Sequence, residues 1–249
     1  MRRILFIFIV CIFFSCSTKK DIFYLQDIPN NLDVKYINNL TIMPGDILDI
    51  QITALNSEAL EIFQPKNASS YIQNNLQSRQ ANGYIVDDVG EIKLPIVGNI
   101  NLMGKSTIEA SSHLEKKLDP YITNSSVKIR LLNFKISVLG EVNKPGTYTI
   151  VEERVSIPQA LGLASDLTIN GDRSNILLIR SDLSGKSSYR VDLTSYEFLN
   201  SEFFYLKQND VIYVQPNYAK VKSSGLVGNV GTLTSVLSLI LSLTLAIGR

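Results

Sequence analysis

Short apolar runs separated by turn residues fill the middle of the chain, and their spacing predicts two small modules of mixed helix and strand. The first opens at Thr41-Ile42-Met43-Pro44-Gly45-Asp46. Pro-Gly predicts a tight turn there, with Gly45 free to take positive φ. Ile47, Leu48, Ile50 and Ile52 then predict a strand. Residues 67–82 are rich in Ser, Asn and Gln and predict a loop or weak helix. Tyr84-Ile85-Val86 and Ile92-Lys93-Leu94 flank Asp87-Asp88-Val89-Gly90, a hairpin signal. Pro95, Gly98 and Gly104 punctuate the stretch between that signal and the next helix. Ser106-Thr107-Ile108-Glu109 is a capping-box pattern and opens this helix, which Asp119-Pro120 ends. Ile108, Ser111, Leu114 and Leu118 fall near one face of it. Val127, Ile129 and Leu131 alternate with polar neighbours as in a half-buried strand.

The second module starts at Lys135. Ile136, Val138 and Gly140-Glu141-Val142 lead into Asn143-Lys144-Pro145-Gly146, where Pro-Gly fits positions two and three of a type II turn. Thr147 to Ile150 is the return strand. Residues 156–164 predict a short helix with Pro158 in its first turn, where a missing N–H costs nothing. Strands are predicted at 175–180, 189–193 and 211–214. Asn209-Asp210 before Val211-Ile212-Tyr213-Val214 echoes Gly45-Asp46 before Ile47-Leu48, a repeated local device rather than a whole repeat.

Both ends read differently. Arg2 and Arg3 precede an uncharged apolar run over residues 4–14, of signal-peptide length and too short to span a bilayer. Phe14-Ser15-Cys16-Ser17 places a small residue immediately before a cysteine, so residues 1–15 are read as a lipoprotein signal and Cys16 as the lipid attachment site. Its acyl chains, palmitate among them, would add about 0.8 kcal/mol per buried methylene. A polar, lipidated linker covers 16–40. At the other end, the 26 positions 223–248 carry no charge. As a helix they would measure about 39 Å, enough for a transmembrane helix. Ser224, Gly228, Gly231, Ser235, Ser238 and Ser242 step by 4, 3, 4, 3 and 4, a small-residue seam suited to helix packing.

Composition narrows the chemistry. Lys+Arg number 24 against 23 Asp+Glu in 249 residues. A charge so balanced leaves no electrostatic footprint for nucleic acid. Cleavage before Cys16 would remove Arg2 and Arg3 and leave 22 basic against 23 acidic residues, a net of −1. One His and two Cys do not furnish a His/Cys metal cluster, so no metal and no cofactor are expected. His113 sits on the flank of its helix. Asp87 and Asp88 are adjacent, and adjacent strand residues point to opposite faces, so they do not clamp one glycosidic bond. No nucleophile elbow, phosphate loop or dinucleotide fingerprint is present. A non-enzymatic role is expected.

The ordered fragments resemble the outer-membrane polysaccharide export family, lipoproteins through which capsule and exopolysaccharide leave Gram-negative cells. Pro44-Gly45-Asp46-Ile47-Leu48 and the stretch from Val86 through Gly90 and Pro95 to Gly98 are similar to its export domain. Val138-Leu139-Gly140-Glu141-Val142, Pro145-Gly146-Thr147-Tyr148 and Ile157-Pro158-Gln159-Ala160-Leu161 are similar to its soluble-ligand-binding β-grasp domain. The resemblance implies an α+β chain: an export domain over 41–133, a β-grasp domain over 134–216, and a C-terminal transmembrane helix over 223–248. It also implies a homo-oligomeric ring, held to outer-membrane lipid with its body in the periplasm. That ring would conduct polysaccharide and meet an inner-membrane co-polymerase with tyrosine kinase activity. The alternative is a glycan-binding or scaffold lipoprotein that docks a separate outer-membrane pore.

Overall fold

The structure is a computed structural model that describes residues 22–31, 40–54, 83–182 and 184–217, and in the C-terminal stretch 231, 234–236, 238, 239 and 242. The signal segment, Cys16, the expected loop at 67–82 and Gly228 lie outside the described residues.

In the first module, β1 (Ile47–Thr53) is the centre of a three-stranded antiparallel sheet between β2 (Tyr84–Ile85) and β5 (Ser126–Leu131). Leu48 lies opposite Leu131 and Ile52 opposite Val127, which sets the register. A separate hairpin joins β3 (Glu91–Leu94) to β4 (Gly98–Asn101). The expected hairpin between Tyr84-Ile85-Val86 and Ile92-Lys93-Leu94 is therefore corrected. β2 pairs with β1, and β3 pairs forward with β4. Asp87 instead shapes a tight turn, its Oδ1 accepting from the amides of Val89 and Glu91 at 3.1 and 2.7 Å.

Helix α1 (Thr107–Leu118) covers this module and starts with the expected capping box: Glu109 N donates to Ser106 Oγ, and Ser106 N to Glu109 Oε2. It buries Ala110, Leu114 and Leu118, and a fully buried leucine contributes about 1.5–3 kcal/mol. Ile108 is not on that face and is 67% exposed. At about 100° per residue it lies two steps from Ala110, on the opposite side of the helix.

The second module is a five-stranded sheet in the order β7-β6-β10-β8-β9. Its strands are β6 (Lys135–Gly140), β7 (Gly146–Thr149), β8 (Gly171–Asp182), β9 (Gly185–Val191) and β10 (Val211–Pro216). β10 is parallel to β6; the other pairs are antiparallel. Ile136, Val138, Ile176, Leu178, Ile212 and Val214 alternate onto one face, where they meet α2 (Ile157–Leu163). Gly146 begins β7 opposite Val138 and has no positive φ, so Pro145-Gly146 does not close a type II turn. Gly45, at φ +84°, does take the conformation expected of it. Leu131 packs against both cores and joins the modules.

The transmembrane helix expected over 223–248 is not supported. Among the described residues no helix is long and apolar enough to cross a membrane. Of this stretch Gly231, Thr234, Ser235, Val236, Ser238, Leu239 and Ser242 are described, and they are helical. The hydroxyls of Ser235, Ser238 and Ser242 donate to carbonyls of their own helix.

Candidate functional site

The two echoed sequences fold as the same device. In Met43–Asp46 the third residue, Gly45, takes φ +84°, and Asp46 N donates to Met43 O at 3.1 Å. In Lys207–Asp210 the third residue, Asn209, takes φ +63°, and Asp210 N donates to Lys207 O at 3.1 Å. Each aspartate then reaches back over its turn. Met43 N donates to Asp46 Oδ2 at 2.9 Å, and Lys207 N to Asp210 Oδ2 at 2.7 Å. Glycine and asparagine occupy the left-handed position for the usual reason, low steric cost.

The electrostatics of the two turns differ. Asp210 is fully buried and meets the buried Arg180, whose Nη2 lies 2.8 Å from Oδ2 and whose Nε lies 3.1 Å from Oδ1. Burial pushes the Asp210 carboxyl above its ordinary value, against the pull of the Arg180 guanidinium. Asp46 is 1% exposed, and burial raises it to about 6, with the Met43 amide pulling it back.

Both turns are fastened to one short linker. The Asn133 side chain donates to Gly45 O at 3.0 Å and accepts from Ile47 N at 2.9 Å. Its backbone carbonyl accepts from Gln208 Nε2 at 2.9 Å, and Gln208 Oε1 accepts from Lys135 N at 2.8 Å. Asn133 thus ties the first turn to the second across the module boundary.

The remaining motif residues do not converge on one pocket. A Cβ on Gly140, at φ +91°, would lie 2.0 Å from Val214 O, so this glycine allows β6 and β10 to meet. Gly90 at φ +83° lies against Met103, and Gly98 at φ +87° opens β4 with space around it. Pro95 ends β3, and Pro145 is exposed just before β7. These residues shape backbone.

The N-terminal segment over residues 22–31 docks on the second module. Leu25 N donates to Leu193 O at 3.0 Å and Gln26 N to Thr194 O at 2.8 Å. Tyr24 Oη donates to Asp166, and the Arg173 guanidinium lies 5.4 Å from the Tyr24 ring centre. Burial, then the bond to Asp166, push the Tyr24 hydroxyl well above its ordinary range. This strap roofs an apolar pocket of about 420 Å³ lined by Tyr24, Leu25, Pro158, Leu161, Leu193 and Phe198. Among the described residues no group of three or more His, Cys, Asp or Glu could hold a metal.

Comparison with known proteins gives the same division. A family model described as polysaccharide biosynthesis/export protein matches residues 36–132, and an SLBB domain model matches 134–214. The chain belongs to the polysaccharide biosynthesis/export family. Two relatives are similar, each an EPS I polysaccharide export outer membrane protein EpsA. The one from Ralstonia nicotianae (strain ATCC BAA-1114 / GMI1000) is 30% identical over 102 residues, 39% of this chain and 27% of the relative. The one from Ralstonia solanacearum is 24% identical over 177 residues, 69% of this chain and 46% of the relative. The matches thus span less than half of either relative's length. A polysaccharide export family serves transport rather than catalysis, consistent with a non-enzymatic chain.

In this export-family chain Asn133 is the single residue between the two matched ranges. Sequence reading singled out Asp46 and the Asp210 echo but missed Asn133, Gln208, Arg180 and Tyr24. The echo itself was the available signal, since a turn made twice invites the question of what lies between.

Proposed function

We propose that this chain is a non-enzymatic component of polysaccharide export at the outer membrane. It is tethered by lipid on Cys16, carries its two modules in the periplasm, and assembles as a ring that conducts the polymer. The observation that carries the reading is the ordered, adjacent pair of family matches over 36–132 and 134–214. The names of the two relatives, both export outer membrane proteins, agree with it. Ring assembly needs surface for neighbours, and the sheet's outer face offers it. There Leu139, 43% exposed, lies beside Tyr213, 36% exposed, with Leu177 next across the sheet. An apolar centre inside a polar rim is the anatomy of a protein contact.

The same face supports a second reading, a scaffold lipoprotein that docks a separate pore. One experiment separates them. The full-length protein is extracted from outer membranes in mild detergent and its mass measured, beside a deletion strain scored for surface polysaccharide. A homomeric ring and lost export support the channel. Co-purification with another membrane protein moves the reading to the scaffold. Unchanged export in the deletion strain would overturn both.

A further inference from the structure

The outer face of α1 carries a groove that neither core needs. It has a volume of about 610 Å³ and is lined by Met103, Lys105, Ile108, Glu109, His113 and Lys116, among others. That volume is in the range of ligand-sized clefts. Three observations give it a chemical character.

The first is its charge. Two of the helix's carboxylates are already engaged with backbone amides. Glu109 accepts from Ser106 N at 2.8 Å in the capping box, and Glu115 Oε1 accepts from Val127 N at 2.9 Å on the side facing β5. The cations of this stretch, Lys105, Lys116 and the neighbouring Lys117, are set on or beside the groove. Their combined field is felt at His113, which burial and these three lysines hold below its ordinary value. With the Glu109 carboxylate counted against Lys105 and Lys116, and Lys117 alongside, the groove is locally positive in a chain whose total charge is nearly balanced.

The second is the placement of Ile108. A β-branched apolar residue left 67% exposed on a cationic face is no part of the core. It shares the groove lining with Lys105 and Lys116, and offers an apolar contact beside their charge. The third is the rigidity of the support. Ala110, Leu114 and Leu118 hold the opposite face of the same helix in the core, and the capping box fixes its first turn. The lining side chains stand on an element that does not need to reorder to receive a ligand.

We propose that this groove is a binding site for an anionic stretch of polysaccharide, one whose sugar rings carry carboxylates. Lys105 and Lys116 meet the carboxylates, and Ile108 and Met103 meet the apolar face of a ring. The inference rests on the export reading and deepens it by naming an acidic polymer as cargo. Charge favours this occupant over a neutral glycan, since the lining sets Lys105 and Lys116 against the single carboxylate of Glu109 and so keeps an excess of positive charge.

The test uses full-length protein in mild detergent. The probes are an oligomer of polygalacturonate and a neutral dextran of similar length, titrated calorimetrically at low and high salt. Polygalacturonate is expected to bind at least tenfold more tightly than dextran, and to weaken as salt screens the lysines. A Lys105→Gln/Lys116→Gln variant is expected to lose tenfold or more for the acidic probe with an unchanged melting temperature. Equal affinity for both polymers would overturn the proposal, and so would undiminished binding by the variant. A variant of lower oligomeric mass whose parent binds neither probe would assign the groove to a neighbouring subunit and likewise overturn it. The export reading is scored separately in a deletion strain. Export that persists without the protein defeats that reading whatever the groove binds. Export lost on deletion, with no binding of polygalacturonate, defeats the groove proposal alone.

Discussion

Asp46 and Asp210 make the same turn, yet among the described residues only Asp210 meets a cation, and this difference sets how each answers to pH. An aspartate titrates near 3.9 when unfolded, and Asp46 is raised to about 6 in the fold. Between these values the folded state binds more protons than the unfolded state. Stability contributed by this group is therefore fully present below pH 4 and falls as pH rises through 6, by about 2–3 kcal/mol. Asp46→Asn keeps an acceptor for the Met43 amide and has no such slope. The difference in unfolding free energy between wild type and Asp46→Asn, measured by denaturant titration at several pH values, is expected to fall across this window. A flat difference would refute the assignment. Glycine supplies a second residue-scale prediction. Gly140→Ala brings a Cβ to 2.0 Å from Val214 O at φ +91°, so backbone must move, at a cost of about 3 kcal/mol or more. Gly146→Ala, in extended backbone with nothing closer than the Tyr148 ring at 3.9 Å, is expected to cost under about 1 kcal/mol. Thermal melts of the two variants read this contrast directly.

At the scale of elements, the sequence disclosed whatever near neighbours along the chain decide. Ser106 and Glu109 form a capping box because the partners stand three residues apart, so the pattern was readable in advance. Ser156 and Gln159 make the same reciprocal pair at α2. Each serine satisfies an N–H that would otherwise be orphaned at its helix start. Ser106→Ala and Ser156→Ala are each expected to lower stability by about 1 kcal/mol. Ser156 is the more buried of the two and should sit at the upper end, a ranking that urea unfolding can check. Alternation likewise placed Val127 and Ile129 in the core, and Pro44-Gly45 in its turn. Pairing decided by distant residues was not readable. Tyr84 and Ile85 bond to β1, far back in the chain at Leu48 and Ile47, rather than to the next strand. Ile108 looked like part of an apolar stripe until the position of β5 fixed which side of α1 was inside.

At the scale of the whole molecule, Asn133 is bonded to both modules. Its side chain holds the first module at Gly45 and Ile47, and its carbonyl holds Gln208 of the second. Leu131 adds an apolar contact shared by both cores. The strap at Tyr24–Gln26 crosses to the second module before the chain enters the first at Thr41, so a tether ahead of it would pull on both modules at once. If the polar clasp carries the coupling, Asn133→Ala/Gln208→Ala removes it while leaving both cores whole. Each lost hydrogen bond costs about 1 kcal/mol, and more where a backbone group is left without a partner. The wild type is expected to unfold calorimetrically in one transition and the double variant in two, with the single variants between. An unchanged single transition at the wild-type midpoint would move the coupling from Asn133 to Leu131 and the strap. If the proposed ring forms, its subunits need both modules held in one arrangement, and a decoupled variant that still folds should also lose export.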